Sequence, residues 1–156
     1  MNATRIKITR FPYEEPYHLN LLIEASNGRM NGRLGYYCNA SDLIELGNKL
    51  LGYLGNKEQT IVYELGSEKP EDRFAFFLSL RVLPLDLAGH SVIRIRINNN
   101  RPPPETEACE FCIQVDVIDV NRLGSLFVGF GKLEHRVLDW SATDGKLVKD
   151  VTSLTD

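Results

Sequence analysis

Between Arg73 and Val120 the chain alternates apolar and polar side chains with a period of two, over three runs: Phe74–Leu83, Ser91–Asn98 and Phe111–Val120. That period belongs to extended chain with one face in a core and the other in water. The inward set is Phe74, Phe76, Leu78, Leu80 and Val82, then Ile93, Ile95 and Ile97, then Ile113, Val115 and Val117. The outward set carries Ser79, Arg81, Arg94, Arg96, Gln114 and Asp116. Three such runs predict an antiparallel sheet with an apolar face and a charged face. The rest of the chain must then cover the apolar face.

The preceding segments supply that cover. Ile6 and Ile8 alternate with Arg5 and Lys7, which predicts a short strand over Thr4–Thr9. Phe11–Pro16 holds two prolines and is expected to be irregular. Tyr17, Leu19, Leu21, Ile23 and Ala25 alternate against His18, Asn20 and Glu24, a second strand that turns at Asn27-Gly28 into a return strand, Arg33–Asn39. A helix is predicted over Ser41–Leu54, capped by Ser41 and closed by Gly55-Asn56. Its stripe of Leu43, Ile44, Leu46, Leu50, Leu51 and Leu54 returns roughly 1.5–3 kcal/mol per buried side chain. Gly47 and Gly52 cost only about 1 kcal/mol each, so both point to close packing. Gln59–Leu65 is a further strand.

After the central runs, Asn98–Glu110 contains three consecutive prolines and is expected to be a long exposed loop. The run 120–133 fits a strand through Leu126, Val128 and Phe130. It fits a helix better, with Leu123, Leu126, Phe127, Phe130 and Leu133 on one stripe and Asp119 as cap. His135–Trp140 is a last strand, and Ser141–Asp156 reads as a partly ordered tail. The expected fold is α+β and mainly β, an antiparallel sheet or sandwich carrying one helix (about 41–54) and a second (about 120–133). It forms a single domain over 1–140 followed by a tail over 141–156. No internal repeat is visible.

At 156 residues the chain can bury a core without staples. Its net charge is −3 and no block of Lys or Arg stands out. Sequence-independent nucleic-acid binding is therefore not expected. Three cysteines do not make a disulfide framework, the N-terminus lacks the apolar run of a signal peptide, and no segment is long enough for a membrane helix. The expected location is the cytoplasm, with no membrane partner.

Chemistry is harder to find. Cys109-Glu-Phe-Cys112 has the spacing of a redox pair, but it leads into a strand and not a helix N-terminus. Residues three apart on a strand face opposite sides. Zinc needs four ligands, and Cys38 or a histidine would have to come from afar. His18, His90 and His135 are scattered, and no nucleophile elbow, phosphate loop or zinc-protease motif is present. No catalytic residue, cofactor or metal is assigned. The candidate binding residues are Arg81, Arg94 and Arg96, which share the wet face of the sheet. The plainer reading is that Asp116 and Gln114 neutralise them across the ladder.

The order of parts resembles the WapI-like bacterial immunity proteins. The features carrying the resemblance are the paired strands ahead of Ser41-Asp42-Leu43-Ile44-Glu45-Leu46, the strand Gln59–Leu65, and Phe77-Leu78-Ser79-Leu80-Arg81-Val82. Val92-Ile93-Arg94-Ile95-Arg96-Ile97 followed by prolines, and the late amphipathic segment, complete it. The resemblance implies stoichiometric capture of a toxin domain and no catalytic residues. The leading expectation is thus a non-enzymatic, cytoplasmic protein-binding module, an immunity protein by resemblance, with Arg81, Arg94 and Arg96 facing the partner. The alternatives are a small-ligand-binding β domain, with its ligand between helix and sheet, and a hydrolase assembled around a Cys or Ser nucleophile.

Overall fold

The alternating runs resolve into two antiparallel sheets. The computed structural model describes residues 4–15 and 18–149, without the side chains of Tyr13 and Glu14. Among the described residues the order is β1 (Thr4–Glu14), β2 (His18–Asn27), β3 (Asn31–Cys38), α1 (Ala40–Leu51), β4 (Ile61–Gly66), β5 (Phe77–Pro84), β6 (His90–Asn98), β7 (Ala108–Asp116), α2 (Val117–Phe130), β8 (Val137–Trp140) and β9 (Gly145–Val148). One sheet runs β3-β2-β1-β8-β9 and the other β4-β5-β6-β7. The fold is α+β and mainly β.

Local chemistry explains the turns between these elements. Asn27 folds its carboxamide back, Oδ1 accepting from the N–H of Arg29 at 2.9 Å and of Met30 at 2.8 Å. That Asx turn, with Gly28 at φ 93°, joins β2 to β3. Both helices start the same way. The Asp42 carboxylate accepts the N–H of the N-cap Asn39, and the Asp119 carboxylate that of the N-cap Asp116, each at 2.9 Å. A carboxylate there also meets the positive end of the helix.

The two starts are part of a larger likeness. β4 follows α1 and pairs with β5, as β8 follows α2 and pairs with β1. Each helix carries an Asp three residues after its cap and a Gly eight residues after it, Gly47 and Gly124. The buried set Leu43, Leu46, Gly47 and Leu50 in α1 therefore matches Val120, Leu123, Gly124 and Phe127 in α2, position for position. The protein is two four-strand-plus-helix units, with β9 added to the first sheet. Between the two helices only Asp42/Asp119, Leu46/Leu123 and Gly47/Gly124 are identical among the matched positions named, too few to show as a repeat in the sequence.

The core sits between the inner sheet faces and the helix pair. Ile6, Ile8, Ile93, Ile95, Ile113, Leu43 and Leu123 are all fully buried, and Trp140 closes one end with its indole N–H on the Asp119 carbonyl at 3.0 Å. No helix among the described residues is long and apolar enough to cross a membrane.

Several boundaries differ from expectation. Phe74 is 47% exposed and outside any strand, because a 3₁₀ turn over Pro70–Asp72 ends in a left-handed Arg73 and β5 begins only at Phe77. Val117 is the first residue of α2 and not a strand residue, since Asp116 caps the helix there and Asp119 takes the third position. Asn39, not Ser41, caps α1, which ends at Leu51. β1 runs on through Phe11 and Pro12, with a register shift against β2. β9 is an ordered strand within the stretch expected as a partly ordered tail. Tyr17 and residues 150–156 lie outside the described residues.

Candidate functional site

Alternation on β5, β6 and β7 sends Arg81, Arg94 and Arg96 to the outer face of the four-stranded sheet, where they meet carboxylates. Arg81 donates to Glu64 at 2.9 Å, and Ser79 donates to the same oxygen at 3.0 Å. Arg96 grips Glu68 with two hydrogen bonds, at 2.8 and 2.6 Å, and Asn98 adds a third at 2.7 Å. The hydrogen bond from Arg81 holds the Glu64 carboxyl below its usual range, and Arg96 does the same to Glu68. Glu110 lies opposite Arg96 in the ladder. Arg94, between Arg81 and Cys112, is exposed and makes no hydrogen bond or ion pair with the described residues. The neutralising partners are thus Glu64 on β4 and Glu68 just beyond it, and not Asp116 and Gln114.

The outer face of the five-stranded sheet has the opposite balance. Register places Arg33, Glu24, Lys7, Asp139 and Lys146 side by side across all five strands. Arg5, one step along β1, holds Asp139 with hydrogen bonds of 2.9 and 2.8 Å, and Lys7 stands 3.9 Å from Glu24. Four cations (Arg5, Lys7, Arg33, Lys146) therefore face two carboxylates. Arg33 and Lys146 are exposed and have no ion-pair partner among the described residues. A basin of about 370 Å³ opens beside Arg5 and Arg33, with Ser26 and Asn31 in its wall.

Along β3, Gly35 and then Tyr37 follow Arg33 on this face. A Cβ at Gly35 would meet nothing within 4 Å, so neither packing nor a special backbone angle requires glycine there. Tyr37 is 41% exposed. Its ring stacks on His18 at 4.7 Å and receives Phe76 edge-on at 5.0 Å, which fixes its orientation. The arrangement is a shelf: cations at one end, bare backbone in the middle, a braced aromatic ring at the other. The alternation of Arg33, Gly35 and Tyr37 was visible in the sequence. Their neighbours Lys7 and Lys146 come from strands over a hundred residues apart in the chain, and only register joins them.

Cys109 points inward and Cys112 outward from β7, as strand geometry requires, and both are free thiols. Cys38 is buried under the sheet, and that burial pushes its thiol pKa up to about 12. Among the described residues no three His, Cys, Asp or Glu side chains are grouped to hold a metal ion. His90 pairs with Asp86 at 2.7 Å in the β5–β6 turn, and His135 lies near Arg10, far from both other histidines in the chain.

No protein-family model matches this chain, and no curated protein matches it. Among solved structures it is similar to the plant transcriptional regulator PBF-2, at 10% identity over 82% of this chain and 75% of that one, with a TM-score of 0.46. It is also similar to WHY3 from Arabidopsis thaliana, at 14% identity over 84% and 83% of the two chains, with a TM-score of 0.47. The expectation of a protein-binding immunity module with a toxin-domain partner and no nucleic acid is corrected on the charge geometry, because one sheet face gathers four cations against two carboxylates. The expected absence of nucleic acid rested on a sequence without a basic block. A sheet can gather its cations from distant strands without one.

Proposed function

We propose that this protein binds single-stranded nucleic acid across the outer face of its five-stranded sheet. The observation that carries the reading is the row Arg33, Lys7 and Lys146, with Arg5 beside it, ending on the open Gly35–Tyr37 shelf. A chain of net charge −3 concentrates four cations against two carboxylates on this one surface. Cations that track a phosphate backbone, together with an accessible aromatic ring, form the elements of a single-strand platform. Gly35 leaves its stretch of backbone open to close approach by a ligand. A duplex keeps its bases stacked inside, out of reach of Tyr37.

The test is fluorescence anisotropy with a labelled oligothymidylate and with a duplex of equal length, over a series of salt concentrations. The oligothymidylate binds more tightly, and log K falls with log salt at a slope approaching about −0.7 per phosphate neutralised. Arg33→Glu with Lys146→Glu weakens binding and flattens the slope. Tyr37→Ala costs about 1–3 kcal/mol, the worth of one base–aromatic stack. Arg94→Glu, on the other sheet, leaves binding unchanged. Equal loss from Arg94→Glu, or no salt dependence, removes the five-stranded face from consideration.

A further inference from the structure

At the end of the four-stranded sheet nearest Tyr37, two loops enclose a cleft of about 540 Å³, lined by Lys69, Arg73, Phe74, Asn100, Arg101 and their neighbours. That volume is in the range of small-molecule and cofactor sites, roughly 300–1,000 Å³. Asn98 and Asn100 stand in its wall, and Asn99 between them braces the loop. Asn98 Oδ1 takes the N–H of Asn100, Asn99 Oδ1 takes those of Arg101 and Glu107, and the Asn100 carboxamide donates to the carbonyls of Ser67 and Phe74. The two loops are therefore cross-braced, and the cleft is set in shape before anything enters it.

Its chemistry is cationic and aromatic. Lys69 and Arg73 have no carboxylate partner among the described residues, and Arg101 is held by Glu105 at 2.7 Å. Glu68, the acidic residue of the lining, is occupied by Arg96 and Asn98. The Phe74 ring stands 47% exposed beside these cations. Arg73 adopts φ 56°, a left-handed backbone that a long side chain seldom accepts, and Asn100 at φ 54° faces it across the same cleft. Strain of this kind gathers at ligand sites. A planar ring for stacking next to two unneutralised cations suits a base joined to a phosphate.

The cleft adjoins the shelf. Phe74 is two residues from Phe76, at most about 7 Å of chain, and Phe76 is the ring set edge-on against Tyr37. We infer that the Lys69/Arg73/Phe74 cleft receives a nucleoside phosphate, the phosphorylated end of a strand lying on the Tyr37 shelf. The role as a strand end rests on the nucleic-acid reading above. The ligand class rests on the cleft alone.

Two measurements test this on the full chain. In the first, oligothymidylates carrying a 5′-phosphate, a 3′-phosphate or only hydroxyl ends are compared by anisotropy. A phosphate on one end tightens binding by about tenfold, the worth of a charge-assisted pair near 1.4 kcal/mol. The gain disappears in Lys69→Ala with Arg73→Gly. The second follows backbone amide shifts during titration with adenosine 5′-monophosphate, adenosine and inorganic phosphate. Adenosine 5′-monophosphate moves Phe74, Ala75 and Asn100 at concentrations where the other two do not. Arg73→Gly abolishes those shifts while its melting temperature holds or rises, because glycine relieves the left-handed angle; loss of shifts through unfolding would instead lower it. Equal binding of phosphorylated and hydroxyl ends, with Arg33→Glu still damaging, overturns the strand-end role and leaves the sheet reading intact. Adenosine 5′-monophosphate shifts without any oligonucleotide binding overturn the sheet reading and keep the ligand class. No shifts and no end effect overturn the inference entirely.

Discussion

Gly47 of α1 and Gly124 of α2 lie backbone against backbone. A Cβ on Gly47 would sit 2.8 Å from the Gly124 carbonyl oxygen, and one on Gly124 would sit 2.7 Å from the Gly47 carbonyl oxygen. The two units of the fold meet at this crossing. In an isolated helix Gly→Ala gains about 1 kcal/mol. Here the methyl group lands on backbone atoms that cannot move aside. Gly47→Ala and Gly124→Ala are each expected to destabilise the protein by about 1–3 kcal/mol, as overpacked cores do. The melting temperature should fall by roughly 2–4 °C per kcal/mol. Non-additivity in the double variant would confirm that the two act at one contact, and unchanged melting in both single variants would disprove the close crossing.

Gly35 gives the reverse case. It lies in β3 with open space where a side chain would be, so Gly35→Thr should stabilise the strand by about 0.5–1 kcal/mol. The same side chain would stand in the middle of the shelf. Higher melting together with weaker oligothymidylate binding is expected, measured by thermal denaturation and anisotropy on one sample. Higher melting with unchanged binding would place the strand elsewhere.

The three thiols should react in order of access and ionisation. Cys112 is exposed, Cys109 is half-buried with its pKa raised by that burial, and Cys38 is buried with its pKa pushed up to about 12. The thiolate is the reacting species, so a disulfide reagent at neutral pH should label Cys112 first and Cys38 only on unfolding. Time-resolved mass spectrometry reads the order. Early labelling of Cys38 would mean that the inner face of β3 opens to solvent in the folded protein.

His90 and Asp86 form an exposed pair that spans the β5–β6 turn. The hydrogen bond that the His90 ring N–H donates to the Asp86 carboxylate raises the His90 pKa above 6.5 and lowers that of Asp86 below 3.8. A raised histidine pKa contributes stability that is complete below 6.5 and lost as pH climbs through the folded value. A lowered aspartate pKa contributes stability that is present above 3.8 and lost as pH falls through its folded value. The turn should be firmest between these limits. Histidine resonances titrated by NMR should show His90 above 6.5, returning toward it in Asp86→Asn. No movement in that variant would mean that the pair does not form in solution.

Period-two alternation is a local property, and it placed the three central strands, the buried isoleucines of β6 and the outward arginines to within a few residues. The helical stripe of α1 was legible for the same reason. The errors fall where one residue serves two elements. Asp116 reads as an outward strand residue until its N–H is seen capped by Asp119, and Phe74 reads as core until Arg73 turns the chain in a left-handed step.

The amino-acid order by itself determined which side chains face inward on each strand, because the pleat has a period of two whatever the sheet it joins. Tertiary structure alone decided which strands became neighbours. That choice set Glu64 and Glu68 against the arginines of one sheet and left Arg33 and Lys146 open on the other. Surface charge balance depends on strand register across the whole chain, and no local pattern encodes it.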